Sequence, residues 1–137
     1  MGDAEIVKFL LDTCAFIWAI SAPDKLPKKT AELIQHQQAE IFVSAITCGE
    51  IACLVQRNRI EIDRHWKIWF NTFIEKNSWE VIDINLKIIQ EAYSLPEGFH
   101  QDPADRIIVA TARLYDLSII TSDKKILNYP HCENYWE

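Results

Sequence analysis

Glycine is nearly missing from this chain, with 3 in 137 residues, and proline is scarce at 5. Such a composition excludes a disordered or low-complexity chain. No internal repeat is visible. Long apolar runs are also lacking. A membrane helix needs roughly 18 or more apolar residues in a row, and no stretch approaches that length. The start of the chain has no basic leader pattern: Asp3 and Glu5 stand where a positive region would be, and Lys8 interrupts the nearby apolar stretch. A cytoplasmic protein without a membrane contact is the expectation. The cysteines at 14, 48, 53 and 132 form no CxxC pair, which argues against structural zinc. Nothing points to export, so reduced thiols are expected, with Cys48 and Cys53 as small buried hydrophobes in a helical apolar pattern. A basic excess is the last absence. The formal charge is −6, which argues against a passive coat for nucleic acid. Acidity does not exclude phosphate chemistry, because bound cations offset carboxylates; it would also suit a basic partner protein.

What is present describes an ordinary globular chain, 49% hydrophobic and 25% charged. Its length suits one domain spanning residues 1–137, able to bury about two thirds of its surface. Residues 6–11 read as a buried strand, short and apolar apart from Lys8. Helices are expected at 14–20 and, opened by Pro27, at 28–38. A very short strand follows at 41–43, then a helix at 45–57 capped by Ser44. A helix over 62–76 carries Trp66, Trp69, Phe70, Phe73 and Ile74 on one face. That stripe is read as packing, with a dimer or partner surface as the alternative. A strand at 79–84, a helix at 86–94 and a loop at 95–101 come next. Helix 103–116, strand 117–121, a helical turn at 124–127 and an edge strand within 132–136 complete the chain. Strands alternate with helices, so the expected fold is α/β with a mainly parallel sheet covered on both faces. Ligand sites in such folds form at the carboxyl ends of the strands.

Acidic residues fall at that rim. Asp12 closes the first strand, Asp105 lies in the first turn of the 103–116 helix, and Asp123 follows the 117–121 strand. Glu50 lies in the 45–57 helix beside Gly49, whose missing side chain suits a close approach. Each has a plain structural reading. Asp12 and Asp123 would serve as helix caps and Glu50 as a solvated helix residue. Asp102-Pro103-Ala104-Asp105 is a strong helix-start pattern, so Asp102 reads mainly as a cap and Asp105 as the better ligand. Asp83, flanked by Ile82 and Ile84, reads as a strand end or cap. Together, carboxylates without a histidine or cysteine cluster select a hard cation, Mg2+ or Mn2+, over zinc. Arg57, Arg59, Arg106, Lys124 and Lys125 are candidate phosphate contacts, though each taken alone reads more readily as a plain solvated charge. A receiver-like phosphoryl-transfer domain is disfavoured, because Cys14 stands where it needs another acid and no Gly-rich loop is present.

The chain resembles the PIN-domain ribonucleases, and especially the VapC toxins of toxin–antitoxin pairs. The segments carrying the resemblance are Phe9-Leu10-Leu11-Asp12-Thr13, 44–52 around Glu50, His100 to Ala112, and Ile120-Thr121-Ser122-Asp123. Their order and spacing cover nearly the whole chain. The resemblance implies a three-layer α/β/α sandwich and Mg2+- or Mn2+-dependent hydrolysis of RNA, leaving a 5′-phosphate and a 3′-hydroxyl. It implies Asp12, Glu50, Asp105 and Asp123 as the catalytic and metal-holding set. Thr13, Ser44, Asp102, Arg106 and Thr121 would support them. It also implies a homodimer and an antitoxin whose C-terminal segment enters the active groove. Cys14 departs from the histidine often found after Asp-Thr, and Ala104 from the usual bulky residue. Neither removes an acid. The alternative is a catalytically silent PIN-like interaction module.

Overall fold

The computed structural model describes residues 7–137. Ile6, the first residue of the expected opening strand, and Asp3 and Glu5 of the leader reading lie outside the described residues. The elements run β1 (Val7–Leu11), α1 (Thr13–Ser21), a 3-10 turn (Pro23–Lys25), α2 (Lys28–Ile34), β2 (Ala39–Ser44), α3 (Ala45–Gln56) and α4 (Trp66–Lys76). They continue with β3 (Glu80–Ile82), α5 (Leu86–Ala92), α6 (Pro103–Tyr115), β4 (Ser118–Ile120), α7 (Lys124–Leu127) and β5 (Asn134–Tyr135).

Among the described residues five strands form one sheet in the order β3-β2-β1-β4-β5. Every neighbouring pair is parallel, with Leu11 opposite Val43 on one side and Ile120 on the other. Parallel strands bury both faces, and side chains alternate between them. Phe9, Leu11, Ile41 and Val43 point into a core with Phe16, Ile51, Trp69 and Phe70. Leu10 and Ile119 point the other way, toward Ile108, Val109 and Ala112 of α6. α5 closes that second layer, packing Ile88 and Ala92 on Ile107 and Ala110. The result is the expected α/β sandwich. Each large apolar side chain taken from water, such as the wholly buried Phe16, contributes about 1.5–3 kcal/mol.

The aromatic stripe of α4 is packing. Phe70 stacks on Phe16 with ring centres 5.1 Å apart, and Trp69 meets the same ring edge-on at 5.9 Å. Several boundaries differ from expectation. The helix read as 28–38 stops at Ile34, and the strand read as 41–43 begins at Ala39, where parallel pairing with Val7 starts. The helix read as 62–76 begins at Trp66, capped by His65, whose Nδ1 accepts the Lys67 amide at 3.1 Å. Among the described residues no helix is long and apolar enough to cross a membrane.

The strand order reverses between β1 and β4. Successive strands β1 to β3 extend one way, and the chain then returns to place β4 on the opposite side of β1. A reversal of this kind leaves a crevice at the strands' carboxyl ends. Asp12 leaves β1 there, and Asp123 follows β4 three residues beyond Ile120.

Candidate functional site

Asp12 is the most buried acid at the crevice, with 7% of its surface exposed. Its Oδ1 accepts the Ala15 amide at 2.8 Å, capping α1, and its Oδ2 accepts the Thr121 hydroxyl at 2.5 Å. The cap and site readings therefore coexist in one side chain. Burial lifts its pKa to about 6, against the pull of the Thr121 and Ala15 hydrogen bonds; the charges of Asp123 and Glu50 push it further up. Thr121 is itself fully buried, and its hydroxyl oxygen accepts the Asp123 amide at 2.9 Å. One hydroxyl thus spans the loop between the two acids. Asp123 caps α7 through Oδ1, which accepts the Lys125 amide at 2.8 Å.

Glu50 comes from α3 and reaches the same crevice. Its Oε1 accepts a hydrogen bond from the Thr13 hydroxyl, and Thr13 lies 3.2 Å from the Thr47 hydroxyl. Burial raises the Glu50 pKa, Thr13 lowers it, and the charge of Asp102 raises it. Asp105 stands on the first turn of α6. Asp102 caps that helix, its Oδ2 accepting the Asp105 amide at 3.3 Å. Burial pushes the Asp105 pKa up to about 7, assisted by the charges of Asp102, Asp123 and Glu50.

These four acids line one pocket of about 720 Å³, together with Thr13, Cys14, Gly49, Arg57 and Arg59. A Cβ added at Gly49 would meet nothing within 4 Å, so the wall is open at this position. Among the described residues no three His, Cys, Asp or Glu side chains are drawn together as a ready-made metal site. The carboxylates share the pocket while each is engaged by its own hydrogen-bond or ion-pair partner. Their chemistry nevertheless fits a hard divalent cation: the acids are oxygen donors, and Asp12, Glu50 and Asp105 are held with raised pKa values by burial and by neighbouring carboxylates. Desolvation and then the charges of Asp12, Glu50, Asp105 and Asp123 push the Cys14 pKa up to about 11, so without a cation the thiol stays protonated at neutral pH.

The remaining sequence candidates are placed as follows. Ser44 is buried and caps α3, accepting the Ile46 amide at 3.2 Å. Arg106 departs from the phosphate-contact reading. Its guanidinium is buried and donates to the carbonyls of Ala92 at 3.0 Å and Phe99 at 2.7 Å, tying the loop before α6 to that helix. Lys124 and Lys125 are exposed on α7, apart from the residues that line the pocket. Asp83 is exposed, and the cap of α5 is Asn85 instead. Cys53 corrects an expectation: it is exposed and lines the pocket, while Cys48 is half-buried against the first core. All four cysteines are free. One neighbour went unassigned in the sequence reading. His100 Nε2 lies 3.0 Å from Asp105 Oδ2. The available signal was its place at the head of the segment that contains Asp102 and Asp105.

Comparison with known proteins agrees with this geometry. The family model described as PIN domain matches residues 9–131. The ribonuclease VapC22 of Mycobacterium tuberculosis is 30% identical over 122 residues, covering 89% of this chain and 92% of that protein. Among solved structures, VapBC2 from Rickettsia felis bound to a promoter DNA fragment superposes with a TM-score of 0.71 at 18% identity, over 96% of this chain and 100% of that one. A toxin–antitoxin complex from Klebsiella pneumoniae gives 0.59 at 23% identity, over 90% and 93% of the two chains. These structural likenesses establish the fold alone.

Proposed function

Because this chain belongs to the PIN-domain family and shares its fold with VapBC2 and the Klebsiella toxin–antitoxin complex, we propose that it is a metal-dependent endoribonuclease and the toxin of a toxin–antitoxin pair. The observation that carries the reading is the shared pocket: Asp12, Glu50, Asp105 and Asp123 on one wall system, with Arg57 and Arg59 at its edge. The ribonuclease VapC22 supports RNA as the substrate class, and the Klebsiella toxin–antitoxin complex supports an antitoxin partner. A homodimer, a cytoplasmic location and a single domain over 1–137 complete the proposal.

Asp12, Asp105 and Asp123 would hold the principal ion, and Glu50 would complete the set or orient the attacking water. Mg2+ or Mn2+ bound there would offset phosphate charge and make water a better nucleophile. The chain's own groups supply the rest. The Thr121 and Ala15 hydrogen bonds fix the Asp12 carboxylate before anything binds. The Thr13 hydroxyl fixes Glu50. Arg57 and Arg59 are the cations that line the pocket, and they would hold RNA phosphates beside the acids.

A silent interaction module is the second reading, favoured by the absence of a ready-made metal trio among the described residues. The two separate in one assay. Purified protein stripped with a chelator is given RNA, then Mg2+ or Mn2+. Cleavage restored by the ion supports the nuclease; a folded protein that neither binds the ion nor cuts RNA supports the module.

A further inference from the structure

The loop between α5 and α6 is held more firmly than its exposed position requires. Glu97 and Gly98 both adopt left-handed backbone, at φ 58° and 67°, which turns the chain back toward α6. Four contacts, on either side of that turn, fix the loop. Arg106 bonds the Ala92 and Phe99 carbonyls. The Phe99 ring packs edge-on against Tyr129 at 5.0 Å, and the Tyr129 hydroxyl donates to the Pro96 carbonyl at 2.6 Å. The next residue delivered by this clamp is His100, its ring 4.3 Å from that of Phe99. His100 Nε2 is buried and makes no hydrogen bond of good geometry, yet lies 3.0 Å from Asp105 Oδ2. A buried ring nitrogen without a full partner is costly, and such groups in native structures call for an explanation.

We propose that His100 is a positioning residue: its Nε2, 3.0 Å from Asp105 Oδ2 without an aligned hydrogen bond in this structure, turns its proton onto that oxygen as the carboxylate grips a divalent cation, and so holds it in place. The inference rests on the metal reading above. Outer partners of ligating carboxylates are a general device for fixing ligand geometry, and losing one costs about 10–100-fold in metal affinity. Apo contacts of this kind are often poorly aligned and tighten when the site is loaded. The loop clamp keeps the His100 ring beside Asp105, so Arg106, adjacent to Asp105 in sequence, would act on the site indirectly through His100.

The test is calorimetric titration of Mn2+ into the full chain, the His100→Ala variant and the His100→Gln variant, with melting temperature and circular dichroism confirming folding. The proposal expects His100→Ala to weaken Mn2+ about 10–100-fold. It expects His100→Gln, whose amide N–H can meet the same oxygen, to recover most of that loss. Equal affinity in wild type and His100→Ala overturns the positioning role while leaving the metal reading standing. Equal losses in both variants also overturn it, since a donor alone would then not suffice. A wild type that binds no Mn2+ overturns the metal reading itself.

Discussion

The Thr121 hydroxyl donates to Asp12 Oδ2 at 2.5 Å while its oxygen accepts the Asp123 amide. This one buried side chain couples the end of β1 to the loop after β4, across the point where strand order reverses. Thr121→Val keeps the shape and removes both bonds. It leaves the Asp12 oxygen and the Asp123 amide short of a partner, so we expect a loss of about 1–3 kcal/mol in denaturant unfolding. Cleavage should fall as well, because Asp12 loses its fixed orientation.

Stability of the metal-free protein should decline as pH rises across the acidic range. The folded Asp12 carboxyl keeps its proton to about pH 6, whereas its ordinary value is 3.8. Between those values the folded state carries more protons than the unfolded state, so folding is favoured at low pH. That advantage is complete below 3.8 and is lost as pH rises through 6. For this buried group it is on the order of 3 kcal/mol. Asp105 acts in the same direction up to about 7. Urea titrations in chelator, set against those of Asp12→Asn, should show the slope in the wild type and a flatter profile in the variant. Added Mg2+ should offset the loss at neutral pH, since the cation replaces the proton.

Arg57 and Arg59 flank Asn58, whose left-handed φ of 57° ends α3 and turns the chain at the pocket edge. Among the described residues neither arginine forms an ion pair. Arg57→Gln and Arg59→Gln should raise KM for RNA with little change in kcat. Each should also lower the slope of log affinity against log salt by about 0.7, the value for one phosphate contact on a single strand. Unchanged KM and slope in both variants would remove them from the RNA path.

Much of this was legible because local chemistry and tertiary role agree. Asp12 ends an apolar run and caps a helix, and Asp102-Pro103 starts α6 as its pattern requires. The layers followed from strands alternating with helices. Boundaries failed where no stop signal exists: Gln35 to Gln38 are polar and helix-compatible, yet the chain leaves α2 to begin the long β2 pairing with β1. Arg106 reads as a phosphate contact because a cation next to an acid looks the same in sequence whether it faces a ligand or, as here, a pair of buried carbonyls. Cys53 looked apolar and inward, but α3 turns that side to the pocket. His100 could not be placed at all from spacing, since a loop rather than a helix carries it to Asp105.

The central claim is that the crevice acids perform metal-dependent RNA hydrolysis. The most direct measurement is cleavage of single-stranded RNA in Mg2+ or Mn2+ by wild type and Asp12→Asn, both shown to be folded. Asparagine keeps the size of the side chain and an acceptor for Ala15, but removes the charge. The account predicts cleavage by the wild type and a loss of at least about 100-fold in the variant, the scale of one essential electrostatic group. Equal cleavage by the two proteins would contradict it.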